Sequence, residues 1–306
     1  MEIILKINNL NKTYGTQQVL KNINMEIKKG AIYGFIGRNG AGKSTLMRTI
    51  CGLAKADSGE LELFGIGLSK DIQKARTRIG VVIENPTLYK SMSAYDNLEV
   101  QRRLSKKVDK KRIPEVLEMV GLGQVGKKKV RAFSLGMKQR LAMALALLME
   151  PEFLILDEPI NGLDPMGVVE MRNAIKALAE SGVTIMISSH ILSELHLLAT
   201  DFGIIEQGRL VKQLSAAELE AACQHYIQLK TTDDTNAYQI LKSQYGDIIA
   251  QVSDALNIYD ANLPTEDIIS VLTTAGIGIK GIQNIDQDLE SYFIDLVSQE
   301  GGHQYV

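Results

Sequence analysis

Ile32-Tyr33-Gly34-Phe35-Ile36-Gly37-Arg38-Asn39-Gly40-Ala41-Gly42-Lys43-Ser44-Thr45 is the stretch that decides the fold of this 306-residue chain. Its first five residues show no polar face, the pattern of a strand buried on both sides. Glycines at 37, 40 and 42 allow a tightly curled loop, and Ser44 to Cys51 reads as a helix with Gly52 past its end. The loop fits the phosphate-binding pattern Gly-x-x-x-x-Gly-Lys-Ser, between a strand and a helix where that pattern has to sit. The backbone N–H groups of Gly37, Arg38, Asn39, Gly40, Ala41 and Gly42 can curl around phosphate oxygens, and the helix N-terminus adds partial positive charge. Lys43 can reach terminal phosphates, Ser44 offers a hydroxyl to Mg²⁺, and Thr45 follows in the same turn.

Working outward, Ile3, Leu5 and Ile7, then Val19, Leu20, Ile23, Met25 and Ile27, mark strands that turn at Lys28-Lys29-Gly30 into the buried run. Far downstream, Phe153-Leu154-Ile155-Leu156-Asp157-Glu158 is a second buried strand, ending in two carboxylates. Asp157 is placed to hold Mg²⁺ through water, and Glu158, one residue on, to take a proton from an attacking water. The plain alternative is a pair of solubilising acids at a strand end. Asp164 and Pro165 open an amphipathic helix, Val183 to Ser188 is another buried strand, and Gln207-Gly208 turns a hairpin. Strands alternating with helices predict an α/β core, and the glycine-rich loop with the acidic pair makes it one of the P-loop NTPase type.

A polar, helical segment from about 86 to 135 interrupts this order, from Pro86 onward, with Arg102, Arg103, Lys106, Lys107, Lys110, Lys111 and Arg112, then Lys127, Lys128, Lys129 and Arg131. These cations are either solvated helix faces or a contact for a membrane partner or lipid headgroups. Ser215-Ala216-Ala217-Glu218 has capping-box spacing, which divides the chain into 1–213 and 214–306. The tail reads as strand (Tyr226 to Thr231), helix, two strands, helix, strand (Ile279 to Ile285) and a last helix, Gln287 to Ser298. Its first six elements match a ferredoxin-like α+β arrangement.

Charged residues make up 23% of the chain and the hydrophobic set 45%, an ordinary globular balance, and the net charge of −2 gives no general attraction to nucleic acid. The two cysteines, Cys51 and Cys223, form no metal-ligand spacing and suit a reducing cytoplasm as packing residues. Met1 to Lys6 reads as a strand and not as a signal peptide, and no apolar run approaches the roughly 20 residues that span a bilayer.

Three further motifs carry a resemblance. Ser134-Leu135-Gly136-Met137-Lys138-Gln139-Arg140 resembles the signature of ABC transporter ATP-binding subunits, with Phe133, Leu135 and Met137 as departures from Leu-Ser-Gly-Gly-Gln. Asn161-Gly162-Leu163-Asp164 resembles the D-loop of that family, and Ser188-Ser189-His190 its switch histidine. In this order and spacing the motifs cover about the first 210 residues. Tyr14 then corresponds to the aromatic residue that stacks on adenine. Glu84 stands where the family carries a metal-sensing glutamine. That glutamate, the Met-Lys form of the signature and the long tail resemble the lantibiotic and bacitracin self-protection transporters.

The resemblance implies an ATPase using ATP and Mg²⁺, at the cytoplasmic face of a bacterial membrane, that drives transmembrane permease subunits and exports or expels an antimicrobial peptide. It implies antiparallel strands alongside the α/β core, a D-loop residue at Asp164, and a head-to-tail dimer in which Ser134, Gly136 and Met137 of one copy complete the other copy's nucleotide site. Glu158 and His190 are the catalytic pair, and Ser44, Glu84 and Asp157 the metal residues. Both members of the pair are present, which favours a homodimer with two working sites. The alternative is an ABC ATPase acting on ribosomes or nucleic acid, disfavoured by the single cassette and the absence of long heptad runs. A regulatory ATP-binding module without turnover is opposed by Glu158.

Overall fold

The computed structural model describes residues 2–68, 71–84, 87–105, 108–223, 225–252, 255–260, 263–286, 292–294 and 296. The chain forms two compact units, Met1–Ala216 and Ala217–Val306.

Two long antiparallel strands open the first unit, β1 (Ile3–Tyr14) and β2 (Gln17–Lys28). Their alternation sends Leu5, Ile7, Leu10, Leu20, Ile23, Met25 and Ile27 into one core. The pairing is irregular at four points, and at two of them, after Ile7 and after Leu20, Asn9 and Asn22 take left-handed backbone angles of 50° and 53°. A bulge of this kind inserts one residue and returns the next apolar side chain to the buried face, and asparagine tolerates its φ. β3 (Ile32–Ile36) follows with all five residues buried, then α1 (Lys43–Cys51). β4 (Ser58–Leu63) completes a three-stranded sheet in the order β2-β1-β4. α2 (Ile72–Arg76) and β5 (Ile79–Val82) come next. Neither β4 nor α2 was expected from the sequence.

The helical segment contains α3 (Ala94–Ser105) and α4 (Arg112–Met119) before α5 (Leu135–Leu147). Pro86, Lys106 and Lys107, named above within it, lie outside the described residues. The chain returns through β6 (Phe153–Asp157), α6 (Pro165–Glu180), β7 (Thr184–Ser189), α7 (Leu192–His196), β8 (Asp201–Glu206) and β9 (Arg209–Ser215). One sheet of six strands results, ordered β5-β6-β7-β3-β8-β9. Every pairing in it is parallel except β8 with β9, which turn at Gln207 and Gly208, both with positive φ. That is the backbone a two-residue hairpin requires.

Behind α1, Arg76 donates to the carbonyls of Ile50 (3.2 Å) and Thr49 (3.5 Å), placing a cation at the helix C-terminus. Burial pushes the neighbouring Cys51 thiol up to about 12, so it stays protonated and inert near neutral pH, in keeping with a packing role.

The second unit opens through α8 (Ala216–Ala222), whose first residue still belongs to the first unit. It continues as β10 (His225–Thr231), α9 (Asp234–Tyr245), β11 (Ile249–Val252), β12 (Ala255–Ile258), α10 (Thr265–Thr274) and β13 (Ile279–Asp286). Its antiparallel sheet is ordered β11-β12-β10-β13. Ile227, Leu229, Leu256 and Ile258 from the sheet pack with Leu241 of α9 and Leu272 of α10. The expected last helix, Gln287 to Ser298, falls largely outside the described residues.

The units divide three residues later than the expected end at 213. β9 runs on through Leu214 and Ser215, paired with Phe202 and Asp201, and passes into α8 with no linker between them. A chain ending at residue 216 is therefore expected to unfold as cooperatively as the parent first unit. Ending at 213 removes Leu214, which is 5% exposed, and should cost about 1.5–3 kcal/mol of burial. Thermal unfolding of the two truncations by circular dichroism checks this; equal midpoints would show that the end of β9 carries no stability.

Candidate functional site

Because β3, β5, β6 and β7 run parallel, their carboxyl ends meet at one edge of the sheet. Ile36 is level with Ser189, Asp157 with Ser188, and Val82 with Leu156. In open parallel sheets this edge is where loops gather around a ligand.

The loop leaving β3 is held by close approaches that only glycine permits. A Cβ on Gly37 would lie 2.5 Å from the carbonyl oxygen of Ile205 in β8. Gly42, at φ 114°, opens α1 without a side-chain cap, so the first N–H groups of that helix have no side-chain acceptor at its N-cap. From outside, the loop is braced by the hairpin tip. Gly208 N–H donates to the carbonyl of Ala41 (2.9 Å), and the carbonyl of Gly208 accepts from Lys21 N–H (2.7 Å).

Lys43, only 6% exposed, lies inside this curl. Its Nζ donates to the carbonyls of Gly37 (2.5 Å) and Arg38 (3.3 Å) and lies 3.2 Å from Glu158 Oε1. That carboxylate oxygen is buried and has no partner of hydrogen-bond geometry, so its compensation is the lysine's charge. The other oxygen, Oε2, is 2.7 Å from His190 Nδ1. Glu158 has a left-handed backbone, φ 49°, a strained state for a residue with a side chain that persists only where the surroundings hold it. Ser188 does the holding. Its fully buried hydroxyl accepts from Glu158 N–H (2.9 Å) and donates to Asp157 Oδ1 (2.6 Å).

Just beyond β5, Glu84 also has a left-handed backbone, φ 62°, and its carboxylate forms an ion pair with Arg48 of α1. A cleft of about 440 Å³ is lined by Ser44, Glu84, Leu135, Gln139, Asp157, Glu158 and Asn161. A larger groove, about 580 Å³, runs along β5 and α5, but among the described residues no charged side chain lines it. The chemistry therefore belongs to the smaller cleft. Ser44, Glu84 and Asp157 present hard oxygen donors, the set that suits Mg²⁺ and not a soft metal. Among the described residues no group of three or more His, Cys, Asp or Glu is arranged to hold a metal by itself. Mg²⁺ satisfies its coordination with water and phosphate oxygens in sites of that kind.

The remaining sequence candidates lie around this centre. Ser134 caps α5, its Oγ accepting from Met137 N–H at 3.2 Å. Leu135 and Gln139 of the same helix line the cleft, whereas Ser134, Gly136 and Met137 are not among its lining residues. Asp164 caps α6, accepting from Gly167 N–H at 2.8 Å, with Pro165 at the first helical position. Tyr14 ends β1, is 46% exposed, and has Lys12 Nζ 5.1 Å from its ring centroid. It pairs with Gln17, two residues before Val19, whose carbonyl lies against Gly42. Arg38, Asn39 and Gly40 form the exposed crest of the loop. Sequence reasoning missed two contributors, Ser188 as the link between the acids and Arg48 as the partner of Glu84. A buried serine at a strand end was the available signal for the first; the second had none in the local pattern.

Residues 20–161 match the family model described as ABC transporter. The bacitracin transport ATP-binding protein BcrA of Enterococcus faecalis is 39% identical over 98% of this chain and 98% of its own length. The lantibiotic transport ATP-binding protein SrtF of Streptococcus pyogenes is 48% identical over 68% of this chain and 89% of its own. Among solved structures, the cassette MJ0796, dimeric in a post-hydrolysis state with ADP and Pi, superposes with a TM-score of 0.63 at 27% identity, covering 70% of this chain and 99% of that one.

Replacing Ser188 by alanine leaves a buried carboxylate oxygen and the Glu158 N–H without their shared partner. The expected result is a loss of about 1–3 kcal/mol of stability together with a fall in turnover. Denaturant unfolding and a phosphate-release assay measure the two effects; full activity would show that Glu158 keeps its place without the serine.

Proposed function

The chain belongs to the ABC transporter family, as an ATP-binding subunit and ATP hydrolase, and on that premise we propose that it powers a separate membrane permease that exports or expels an antimicrobial peptide in self-protection. Relatives named for bacitracin and lantibiotic transport support the cargo class. No described helix is long and apolar enough to cross a membrane, and in this reading the permease provides the spans while this chain works at the cytoplasmic face of a bacterial membrane.

The observation that carries the reading is the connected set of Lys43, Glu158, His190, Ser188 and Asp157 at one sheet edge. The loop N–H groups from Gly37 to Gly42 and the start of α1 bind the phosphates, and Lys43 supplies charge to the terminal ones. Ser44 and Asp157, with Glu84 at hand, would hold Mg²⁺, which would offset the negative charge of the phosphates. Glu158 takes one proton from water as the water oxygen attacks the γ-phosphorus and the bond to ADP breaks. His190 fixes the carboxylate that receives the proton. Tyr14, on the hairpin beside the loop, stacks on adenine.

Two copies act head to tail. Ser134, Gly136 and Met137, at the capped start of α5 and outside their own chain's cleft, meet the nucleotide of the second copy, with Asp164 beside them. The second unit is ferredoxin-like and adjusts dimerisation or regulation, not chemistry. The rival, an ABC ATPase acting on ribosomes or nucleic acid, fits poorly with a net charge of −2. Co-purification with a protein of several apolar spans, followed by a peptide-resistance assay, separates the two.

Glu158→Gln should keep ATP binding, lose about 10²–10⁴-fold in turnover and accumulate as an ATP-bound dimer. Lys43→Ala should instead weaken binding itself. Steady-state phosphate release, nucleotide titration and size-exclusion chromatography give the three readouts, and undiminished turnover in Glu158→Gln would remove that residue from the role of base.

A further inference from the structure

Resting on the ATP-hydrolysing reading above, we propose that Arg48 is a positioning residue whose ion pair with Glu84 holds that carboxylate against α1, so that Mg²⁺ and nucleotide at Ser44 and Asp157 compete with Arg48 for it. Adjacent parallel strands put the problem in place. Val82 and Leu156 are the last level pair of β5 and β6, and just beyond it Glu84, Asp157 and Glu158 all line one cleft. A triphosphate brought there meets three carboxylates. Two of these have partners of their own in the structure, Asp157 the Ser188 hydroxyl and Glu158 the Lys43 ammonium with His190. Glu84 has the Arg48 guanidinium.

Arg48 is well placed to act on the site without touching the reacting atoms. Four residues after Ser44, it shares with Ser44 and Thr45 the half-exposed face of α1, one turn further along the helix. A shift of Glu84 is thus referred to the same helix that presents Ser44. The pair is 34% exposed on the arginine side and 64% on the glutamate side, and an ion pair so open to solvent is weak enough to exchange. Glu84 is also held in a left-handed backbone that a change of partner would let relax. With the pair intact, Arg48 shields the phosphates from Glu84. With the pair open, the carboxylate is free to turn toward a hard cation. Arg48 thereby sets how steeply nucleotide binding depends on Mg²⁺.

The test titrates a fluorescent ATP analogue against the full-length chain in EDTA and at graded Mg²⁺. It uses wild type, Arg48→Gln, Arg48→Lys, Glu84→Gln and the double variant R48Q/E84Q. In EDTA, Arg48→Gln should bind about 5-fold more weakly, the size of one unit-charge contact in water, while reaching half-saturation at several-fold lower Mg²⁺. Arg48→Lys should restore the wild-type Mg²⁺ dependence, and Glu84→Gln should flatten it. In the Glu84→Gln background the Arg48→Gln effect should largely vanish. An Arg48→Gln effect of equal size in both backgrounds, or an unaltered Mg²⁺ dependence, overturns the proposal. Should Arg48→Gln fail to fold by circular dichroism, the exposed Glu84→Gln decides alone, and unchanged Mg²⁺ dependence there overturns it. Wild type that binds no analogue at any Mg²⁺ overturns the ATP reading and this proposal with it.

Discussion

Lys43 carries a full positive charge to a position that is 6% exposed, and a cation removed from water is costly unless acceptors and opposite charge surround it. Much of the first unit's local geometry follows from meeting that demand. The carbonyls of Gly37 and Arg38 can turn onto the ammonium only if the loop curls, and the curl brings Gly37 against Ile205 so closely that no side chain fits. Glu158 supplies the opposite charge from just beyond the end of β6, with its backbone turned left-handed. Ser188 steadies that backbone from the next strand, which the parallel register sets level with Asp157. Charge, turn, strain and register form one chain of requirements.

What the sequence made legible was whatever is local. A fully apolar strand running into glycines and a lysine, and another running into two acids, declare themselves within a dozen residues, and so do the caps at Ser134 and Asp164. β4 escaped notice because Ser58-Gly59-Glu60-Leu61-Glu62-Leu63 buries only two leucines, too short an alternation to stand out, and it becomes a strand by pairing with β1. The five residues of α2 bury only Ile72 and Ala75, less than a helical period can announce. The pairing of Arg48 with Glu84 joins positions 36 apart, and nothing in either neighbourhood names the other. The boundary at 213 was set by a helix-start signal, which locates the helix well but says nothing about how far the preceding strand runs.

Within one chain, α5 has two different relations to the cleft. Leu135 and Gln139 face its lining, while Ser134, Gly136 and Met137, interleaved with them in the same first turns, do not. In the head-to-tail arrangement proposed above, the residues outside the cleft are the ones left for a second copy. Such a division is invisible to a motif read as a linear word.

The brace from Gly208 to Ala41 has a consequence for the order in which this protein comes into being. In a chain made from its N-terminus, the glycine-rich loop is synthesised early, but the hairpin tip that supports it arrives only when β8 and β9 have been added. Until then the loop lacks its outer hydrogen bond, and the close approach to Ile205 that defines Gly37 does not exist. A chain emerging from the ribosome therefore cannot complete its glycine-rich loop until the last strands of the sheet have been made, although the motif itself was synthesised long before.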